Sequence, residues 1–324
     1  MKIAVIDDYQ DAFRRLECAT RLKGHEIAVF HDTEKNPARL AERLKDAEAV
    51  VLTQQRSPFP RVVIERLPKL KLISQTGRNA YHIDLAACTE QGVVVSAGGA
   101  GNPNPTAELT WGLILAALRR IPQEVQRMKE GKWQGFVGTG VARKTLGIYA
   151  YGRIGSIVAK VGRAFGMRVV CLGREGSTAR AREAGFEVAA GRERFFAESD
   201  VICLHLLLNK ETHGIVKRAD LDRMKPTALI VNTSRAPIIE DGALVEALKA
   251  GRPGRAAVDV YEEEPVLGGN HPLLKRDNVV CTPHLGYVEE ATYEAYYGAA
   301  VDQILAFAAG KPINVANPEV LAKK

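Results

Sequence analysis

The sequence predicts an α/β protein built from two doubly wound parallel sheets. Along the whole chain, short apolar runs rich in β-branched residues alternate with stretches of helical periodicity, which is typical of a parallel sheet covered by helices on both faces. A length of 324 residues exceeds that of one typical domain and suits two. Residues 97–105 are dense in glycine, asparagine and proline, and they predict the boundary between the two domains.

The part of the chain before this loop predicts a first sheet. Apolar runs predict strands at residues 2–6, 26–30, 49–52, 70–74 and 93–96, and helical patterns fall at residues 12–22, 38–44 and 62–67. Polar loops follow the third and fourth strands and carry Arg56, Gly77 and Arg78. Loops at the ends of parallel strands are where open α/β sheets bind ligands.

The part after the loop predicts a second sheet. A long helix at residues 106–120 is expected to end at Pro122, and residues 123–144 are expected to be irregular. Strands are then predicted at residues 146–149, 169–172, 201–208, 228–232, 256–260 and 279–282, with helices at 154–165, 218–224 and 241–250. An apolar helix at residues 291–309 can return the chain to the first domain, which the tail would complete.

A glycine turn lies at the start of the second sheet. Residues 150–155, Ala-Tyr-Gly-Arg-Ile-Gly, follow one apolar strand and open a helix, and a second strand comes next. Gly152 and Gly155 match the dinucleotide fingerprint G-x-G-x-x-G, whereas Ala150 stands at its first position. Such a unit sets the unpaired N–H groups of a helix N-terminus against a pyrophosphate. We interpret the stretch as a dinucleotide site; the alternative is an ordinary βαβ unit with a glycine turn.

The charged residues favour a small anionic ligand over nucleic acid. The chain has 45 Lys and Arg against 38 Asp and Glu, a net charge of +7, and the basic residues are scattered rather than gathered in a stripe. The five cysteines form no C-x-x-C pair, and several lie in apolar runs, which indicates a reducing compartment. No signal peptide or bilayer-length apolar run is evident, so we expect a cytoplasmic protein that does not bind membranes.

Three polar clusters follow predicted strands of the second sheet. They are Asn-Thr-Ser-Arg at 232–235, Asp-Val-Tyr-Glu-Glu-Glu at 259–264 and Thr-Pro-His-Leu-Gly at 282–286. Taken singly, each has an ordinary explanation as a surface arginine, a solvated acidic turn or a structural histidine. Taken together, they suit hydride transfer between a nicotinamide and an alcohol carbon. His284 can exchange the hydroxyl proton, Glu264 can favour and orient the imidazolium, and Arg235 can bind a substrate carboxylate.

Over essentially its whole length the sequence resembles the D-isomer-specific 2-hydroxyacid dehydrogenase family. The motifs that carry the resemblance are LGIYAYGRIG, VNTSRAPIIEDGALVEAL, AAVDVYEEEP and TPHLGY, in the family's order and spacing. The resemblance implies two Rossmann-like doubly wound parallel-sheet domains with the active site in the cleft between them. We expect a discontinuous substrate domain, residues 1–101 plus 291–324, and a dinucleotide-binding domain, residues 102–290. A homodimer formed through residues 106–144 is also implied, although that arm could equally be a surface excursion.

The resemblance also implies roles for individual residues. Arg235 would bind the substrate, Glu264 would be the acid paired to the histidine, and His284 would be the general acid/base. The implied cofactor-binding positions are Thr106, Tyr151, Gly152, Arg153, Ile154, Gly155, Arg174, Leu207, Thr233, Asp259 and Gly286. Asp259 resembles the residue that holds the nicotinamide carboxamide. Arg56, Gly77 and Arg78 are candidate substrate contacts, and no metal site is predicted.

The choice between NAD and NADP stays open at this point. NAD-preferring members usually have an acidic residue at the end of the second strand of the dinucleotide unit, where this chain has Gly173. Arg174 could meet the 2′-phosphate of NADP, and Glu175 would oppose it. The other interpretation is a solvated Arg174 and an NAD bound through the main chain.

The predicted activity is that of an NAD(P)-dependent oxidoreductase acting on the CH–OH group of a small anionic 2-hydroxy or 2-keto acid. Arg56 and Arg78 could bind a doubly anionic substrate, which makes 3-phosphoglycerate a candidate, and glyoxylate or hydroxypyruvate is the alternative. We expect no regulatory domain to follow. Glu264 disfavours a formate dehydrogenase, which would have glutamine there. A binding protein of a different class, like the family's dinucleotide-sensing corepressors, also fits these residues.

Overall fold

The computed structural model describes residues 1–99 and 101–323, and the chain divides into two compact units. One unit consists of Met1–Asn102 with Glu289–Lys324, and the other consists of Pro103–Val288. Each contains one parallel sheet with helices on its faces, which confirms the predicted fold class of two doubly wound α/β domains. No helix among the described residues has both the length and the apolar character needed to cross a membrane.

The first unit holds five parallel strands in the order β2-β1-β3-β4-β5. The strands are β1 (Lys2–Ile6), β2 (Glu26–Val29), β3 (Ala49–Leu52), β4 (Leu72–Gln75) and β5 (Val94–Ala97). Its helices are α1 (Pro37–Leu44), α2 (Arg61–Ile64), α3 (Leu85–Glu90) and a C-terminal helix (Glu290–Ala308). All residues of β3 and β4 are buried, as expected for strands covered on both faces.

The C-terminal tail is part of the first unit. Val315 forms an antiparallel bridge with Ser96, and the N–H of Ala316 donates to the carbonyl of Val95 at 2.7 Å. The buried side-chain oxygen of Asn317 accepts the N–H of Val95 at 2.9 Å. These bonds occupy the edge of β5 that no other strand covers, so the tail protects that edge from pairing with another chain.

The second unit holds seven parallel strands in the order β12-β11-β10-β9-β6-β7-β8. The strands are β6 (Thr145–Tyr149), β7 (Arg168–Leu172), β8 (Glu187–Val188), β9 (Val201–Leu204), β10 (Leu229–Asn232), β11 (Arg255–Val258) and β12 (Val279–Cys281). Its helices are α4 (Asn104–Arg119), α5 (Ile121–Lys129), α6 (Arg153–Ala164), α7 (Glu175–Glu183), α8 (Arg192–Glu198), α9 (Arg218–Arg223) and α10 (Ala243–Lys249). The strand order reverses between β6 and β9, and ligands of doubly wound sheets bind at the carboxyl ends beside such a reversal.

The segment around Pro122 differs from the prediction. Helix α4 ends at Arg120, which adopts a left-handed conformation with φ of 52°, and α5 begins directly afterwards. Pro122 lies in the first turn of α5, where its missing N–H has no intrahelical partner to lose. Residues 121–129 are therefore helical, and the irregular part of the predicted arm is shorter than the sequence indicated.

Besides α5, three helices lie where the sequence pattern predicted none: α3, α7 and α8. Helix α7 has the sequence EGSTARARE, and only Thr178 and Ala181 are buried in it. Without an apolar stripe it gives no periodic signal. The helical turns near residue 17 also differ, since residues 13–15 and 17–22 form two separate 3₁₀ segments rather than one helix.

Candidate active site

The glycine turn after β6 has the geometry of a phosphate-binding loop. Gly155 packs tightly, because a Cβ there would lie 2.4 Å from the carbonyl oxygen of Ala150. A Cβ on Gly152 would meet no atom within 4 Å. Gly152 is also the residue before α6, whose first N–H groups have no partner within the helix. The turn thus keeps the backbone open where a pyrophosphate would approach, and the residues fit a bound dinucleotide.

Ala150 has an unusual backbone conformation. Its φ is 77°, in the left-handed region that favours glycine, while its N–H donates to the carbonyl of Leu172 at 2.7 Å. Its carbonyl accepts the N–H of Gly152 at 3.0 Å. The turn therefore needs a positive φ at this position and obtains it from alanine at the cost of backbone strain.

Asp259, directly after β11, organises the loop that carries the candidate histidine. One carboxylate oxygen accepts the hydroxyl of Thr282 at 2.6 Å and the N–H of Leu285 at 2.7 Å, and the other accepts the N–H of Gly286 at 2.9 Å. Burial raises the pKa of Asp259, whereas these hydrogen bonds lower it. A carboxylate offers about four lone-pair sites, so three bonds leave capacity for one further donor.

Thr106 of α4 closes the other side of this loop. Its hydroxyl donates to the carbonyl of Gly286 at 2.7 Å. A Cβ on Gly286 would lie 3.3 Å from both the Thr106 hydroxyl and an oxygen of Asp259. The structure thus brings together Thr106, Asp259 and Gly286, three positions that the sequence assigned to cofactor binding.

His284 and Glu264 form a hydrogen-bonded pair. Nδ1 of His284 lies 2.6 Å from Oε2 of Glu264, and Oε1 of Glu264 accepts the N–H of Tyr261 at 3.0 Å. The carboxylate accepts, so Nδ1 carries the proton and Nε2 is the nitrogen that can exchange a proton with a ligand. Only 18% of the histidine side chain and 17% of the glutamate side chain are exposed. The ring also packs edge-on against Tyr287, with centroids 5.6 Å apart, which limits its rotation.

A side-chain clamp shapes the loop that carries Arg235. Asn232, the last residue of β10, donates to the carbonyl of Arg235 at 3.0 Å and accepts the N–H of Ser234 at 3.0 Å. The guanidinium of Arg235 donates to the carbonyl of Ser234 at 2.7 Å through one Nη. Thr233 is buried beside it and shares a 2.9 Å hydroxyl contact with Thr110 of α4. These hydrogen bonds fix the backbone position of Arg235 and therefore the point from which its side chain extends.

The remaining cofactor candidates line the same edge of the second sheet. The buried Tyr151 donates its N–H to the hydroxyl of Ser177 at 2.7 Å. Arg153 and Ile154 form the first turn of α6. Leu207, in the loop after β9, is 78% exposed. Arg174, after β7, pairs with Glu211 at 3.1 Å.

The candidate substrate residues lie in the first unit, at the carboxyl edge of its sheet. Arg56 follows β3, and Gly77 and Arg78 follow the neighbouring β4. Nε of Arg78 donates to the carbonyl of Gly99 at 2.9 Å, while its side chain stays exposed. A Cβ on Gly77 would lie 3.4 Å from the amide oxygen of Gln54. The loop is therefore packed on its inner side and open outward.

Sheet topology explains how distant segments of the second unit meet. Strands β10, β11 and β12 are neighbours and run in parallel, so the loops of Arg235, Glu264 and His284 leave the sheet at the same edge. Sequence analysis did not identify the clamp by Asn232 or the hydroxyl contact of Thr282 with Asp259. Both residues belong to polar clusters after strands, which is the signal that could have found them.

The chain is similar to a family model and to several known proteins. Residues 111–286 match the model of the D-isomer specific 2-hydroxyacid dehydrogenase, NAD binding domain. A glyoxylate reductase of Thermococcus litoralis is 36% identical over 313 residues, 92% of each chain. A D-3-phosphoglycerate dehydrogenase of Methanocaldococcus jannaschii is 37% identical over 94% of this chain, which spans only 57% of that protein's length.

A solved structure from Ralstonia solanacearum, provisionally described as a D-3-phosphoglycerate dehydrogenase oxidoreductase, has a TM-score of 0.94 and 51% identity over 99% of this chain and 98% of its own. These likenesses confirm the family, the enzyme class and the NAD(P) cofactor that the sequence predicted. The chain belongs to the D-isomer specific 2-hydroxyacid dehydrogenases, NAD(P)-dependent oxidoreductases that act on the CH–OH group of 2-hydroxy acids.

Proposed function

We propose that Arg235, Glu264 and His284 are the catalytic residues of this D-2-hydroxyacid dehydrogenase. The observation that carries the proposal is the 2.6 Å contact between Nδ1 of His284 and Oε2 of Glu264, on loops that leave the sheet beside the Arg235 loop. A histidine oriented by a carboxylate next to a permanent cation suits proton transfer on a substrate that carries its own carboxylate.

Each catalytic side chain has a distinct task in the proposed reaction. The nicotinamide, when bound, supplies the hydride for a 2-keto acid or accepts it from a D-2-hydroxy acid. Arg235 binds the substrate carboxylate through its planar guanidinium. In reduction, Nε2 of His284 donates a proton to the carbonyl oxygen, and in oxidation it takes the hydroxyl proton. Glu264 holds the ring in place and balances the charge of the imidazolium.

The cofactor is assigned to the glycine turn and the loops beside it. We assign the pyrophosphate to the backbone of residues 151–155, with Arg174 at the adenosine end and Leu207 and Thr233 along the nicotinamide half. Asp259 has capacity for one more donor, which suits the amide of a carboxamide. Thr106 and Gly286 support this position through their mutual hydrogen bond.

For the substrate we propose 3-phosphoglycerate, whose phosphate and carboxylate carry separate negative charges. Arg56 and Arg78 follow two adjacent strands of the first unit and offer cations for the second anionic group, and the backbone of Gly77 offers an N–H. The identity of 51% with the Ralstonia solanacearum protein favours the same substrate. Glyoxylate or hydroxypyruvate is the second candidate, favoured by the near full-length match to the Thermococcus litoralis reductase.

A steady-state panel tests this proposal. The purified protein is assayed with 3-phosphoglycerate in the oxidative direction and with glyoxylate, hydroxypyruvate and pyruvate in the reductive direction, each with both cofactors. We expect the highest kcat/KM with 3-phosphoglycerate. A higher kcat/KM for glyoxylate or hydroxypyruvate would mean that this compound, rather than 3-phosphoglycerate, is the substrate. Turnover of none of them, together with retained nucleotide binding, would favour a dinucleotide-sensing binding protein.

We further propose a homodimer formed through residues 106–144. This segment exposes large apolar side chains: Ile121, Val125, Met128, Trp133, Phe136 and Val137. Large apolar side chains exposed in one segment favour a protein partner, and a second copy of the chain is the simplest one. A monomeric mass by sedimentation at micromolar concentration would contradict the proposal.

We propose a substrate domain of residues 1–101 and 291–324 and a dinucleotide-binding domain of residues 102–290, and the division of the chain into two compact units supports this proposal. We also propose a cytoplasmic location. All five cysteines are free, and burial raises the pKa of the Cys18, Cys88 and Cys171 thiols to about 12, as suits a reducing compartment.

A further inference from the structure

Two arginines lie directly after β7, Arg174 at the residue before α7 and Arg180 within that helix. We propose that Arg174 and Arg180 bind the 2′-phosphate of NADP(H), so that this dehydrogenase prefers NADPH over NADH. The inference rests on the proposed function, because it concerns the cofactor of the same site. Arg180 had no place in the sequence analysis.

The end of β7 lacks the acidic side chain that an NAD site normally uses. Gly173 occupies that position, and a Cβ there would lie 2.8 Å from the hydroxyl of Ser177 and 3.0 Å from its Cβ. Ser177 is held in place, since its hydroxyl accepts the N–H of Tyr151 at 2.7 Å. A larger residue at 173 would crowd this serine, and with glycine there the 2′-hydroxyl of NAD meets no carboxylate from the strand end.

Glu175 is the first acidic residue after Gly173 in the sequence, and its side chain already has a partner. One of its carboxylate oxygens lies 3.1 Å from a guanidinium nitrogen of Arg182, farther along α7. In this exposed pair the Glu175 carboxylate is directed along α7 toward Arg182. The acid therefore does not restore an NAD-type site.

Arg180 is fixed beside the glycine turn. One Nη donates to the carbonyl of Tyr151 at 3.2 Å, and the other lies 3.7 Å from the point where a Cβ on Gly176 would stand. Because Gly176 has no side chain, residue 176 does not cover the guanidinium. The side chain is exposed and retains N–H groups for a ligand.

Arg174 is the second cation of the proposed pair. Its guanidinium lies 3.1 Å from Glu211, and the two side chains are 78% and 74% exposed. An ion pair this exposed contributes little, so a phosphate with nearly two negative charges can displace Glu211. The phosphate would then accept hydrogen bonds from both guanidinium groups.

The test compares two nucleotides that differ only in the 2′-phosphate. Isothermal titration calorimetry measures the Kd of adenosine 2′,5′-bisphosphate and of 5′-AMP for the wild type, Arg174→Ala and Arg180→Ala. We expect the wild type to bind the bisphosphate at least about tenfold more tightly. Each substitution should remove most of that difference and leave the Kd of 5′-AMP unchanged.

Arg194→Ala is the matched control. Arg194 pairs with Glu198 and lies with Thr145 and Arg168, the first residues of β6 and β7, at the opposite edge of the sheet. The Arg194→Ala substitution removes one positive charge, as the two test substitutions do. The Kd values of adenosine 2′,5′-bisphosphate and of 5′-AMP should both stay as in the wild type. An equal loss in this variant would indicate a general charge effect and overturn the assignment.

The wild-type comparison is decisive without any variant. Equal Kd values for the two nucleotides would overturn the NADP preference and leave the proposed dehydrogenase intact. Failure to bind either nucleotide, together with no turnover of any substrate in the panel, would instead contradict the proposed function.

Discussion

His284 and Glu264 lie 20 residues apart in the sequence, yet Nδ1 of the histidine is 2.6 Å from Oε2 of the glutamate. The glutamate is in turn held by the N–H of Tyr261 at 3.0 Å. Hydrogen bonds within the protein thus hold the pair in place, which is what a proton-transfer group needs in order to act without reorganisation.

The first prediction concerns the charge of Glu264. In Glu264→Gln the amide oxygen can still accept from Nδ1, but the imidazolium loses its negative partner. We expect keto acid reduction, which consumes the protonated histidine, to slow by at least about tenfold at pH 7.

Glu262→Gln is the control for this variant. Glu262 makes a similar contact with His271, at 2.9 Å, on the exposed side of the same turn. We expect its pH–rate profile to match that of the wild type. Equal losses in the two variants would show that a structural effect, rather than charge beside the catalytic histidine, explains the result.

The second prediction concerns Arg235. Lysine keeps the charge but cannot bind a carboxylate with two parallel N–H groups. For Arg235→Lys we expect kcat/KM to fall by about 10- to 100-fold with the affinity for the reduced cofactor unchanged. Steady-state kinetics and calorimetric cofactor titration measure the two quantities. An unchanged kcat/KM would remove Arg235 from the substrate site.

The strands could be predicted from the sequence, but the geometry of the loops that carry the candidate catalytic residues could not. Strands such as β3 and β10 are buried on both faces, so their apolar runs stand out. Arg235, Glu264 and His284 follow three such runs, which placed them at one sheet edge. The roles of Asn232 and Asp259 depend on hydrogen bonds between separate loops, and no spacing in the sequence records these.

The predicted helix boundaries were wrong where one residue type can have two structural roles. Pro122 both terminates helices and begins them, so the sequence did not separate the end of α4 from the start of α5. Ala150 is a related case. Its φ of 77° is imposed by the turn between β6 and α6, and alanine gives no sign of a positive φ.

The third prediction follows from that strain. Ala150→Gly removes the Cβ that opposes a φ of 77°, and we expect the free energy of unfolding to rise by about 0.5–1 kcal/mol after the entropy of the added glycine is subtracted. Urea denaturation measures the change. A less stable variant would mean that packing of the alanine methyl group outweighs the backbone strain.

Gly152→Ala provides the complementary variant. The φ of Gly152 is −107° and a Cβ there meets open space, so folding should tolerate the substitution. The added methyl group would stand between the backbone and the pyrophosphate, and we expect the Kd of the cofactor to rise by about tenfold or more, by loss of a charge-assisted hydrogen bond. An unchanged Kd would place the pyrophosphate elsewhere.

The fourth prediction uses two adjacent acids after β1. Burial raises the pKa of Asp7 to about 6, although hydrogen bonds from Thr33 and Ser57 oppose the shift. The folded state therefore binds a proton that the unfolded state releases, and stability falls as the pH rises from about 4 to about 6. For Asp7→Asn we expect this pH dependence to disappear and the variant to be more stable than the wild type at pH 7 by about 2 kcal/mol.

Asp8→Asn should have the opposite effect on stability. Its two carboxylate oxygens accept the N–H groups of Ala12 and Phe13, each at 2.9 Å, and an asparagine can accept only through one atom. We expect a loss of about 1 kcal/mol. Chemical denaturation between pH 4 and pH 8 measures both variants. If the stabilities of the wild type and of Asp7→Asn rose in parallel from pH 4 to pH 6, this result would contradict the raised pKa of Asp7.

The most direct test of the account is the turnover of His284→Ala together with its cofactor affinity. We predict that kcat for the best substrate falls by at least about 100-fold while the Kd of the reduced cofactor stays within about twofold, because His284 transfers the proton and does not bind the dinucleotide. His271→Ala, which removes the other histidine paired with a glutamate, should retain wild-type turnover. Near wild-type kcat in His284→Ala would contradict the proposed mechanism.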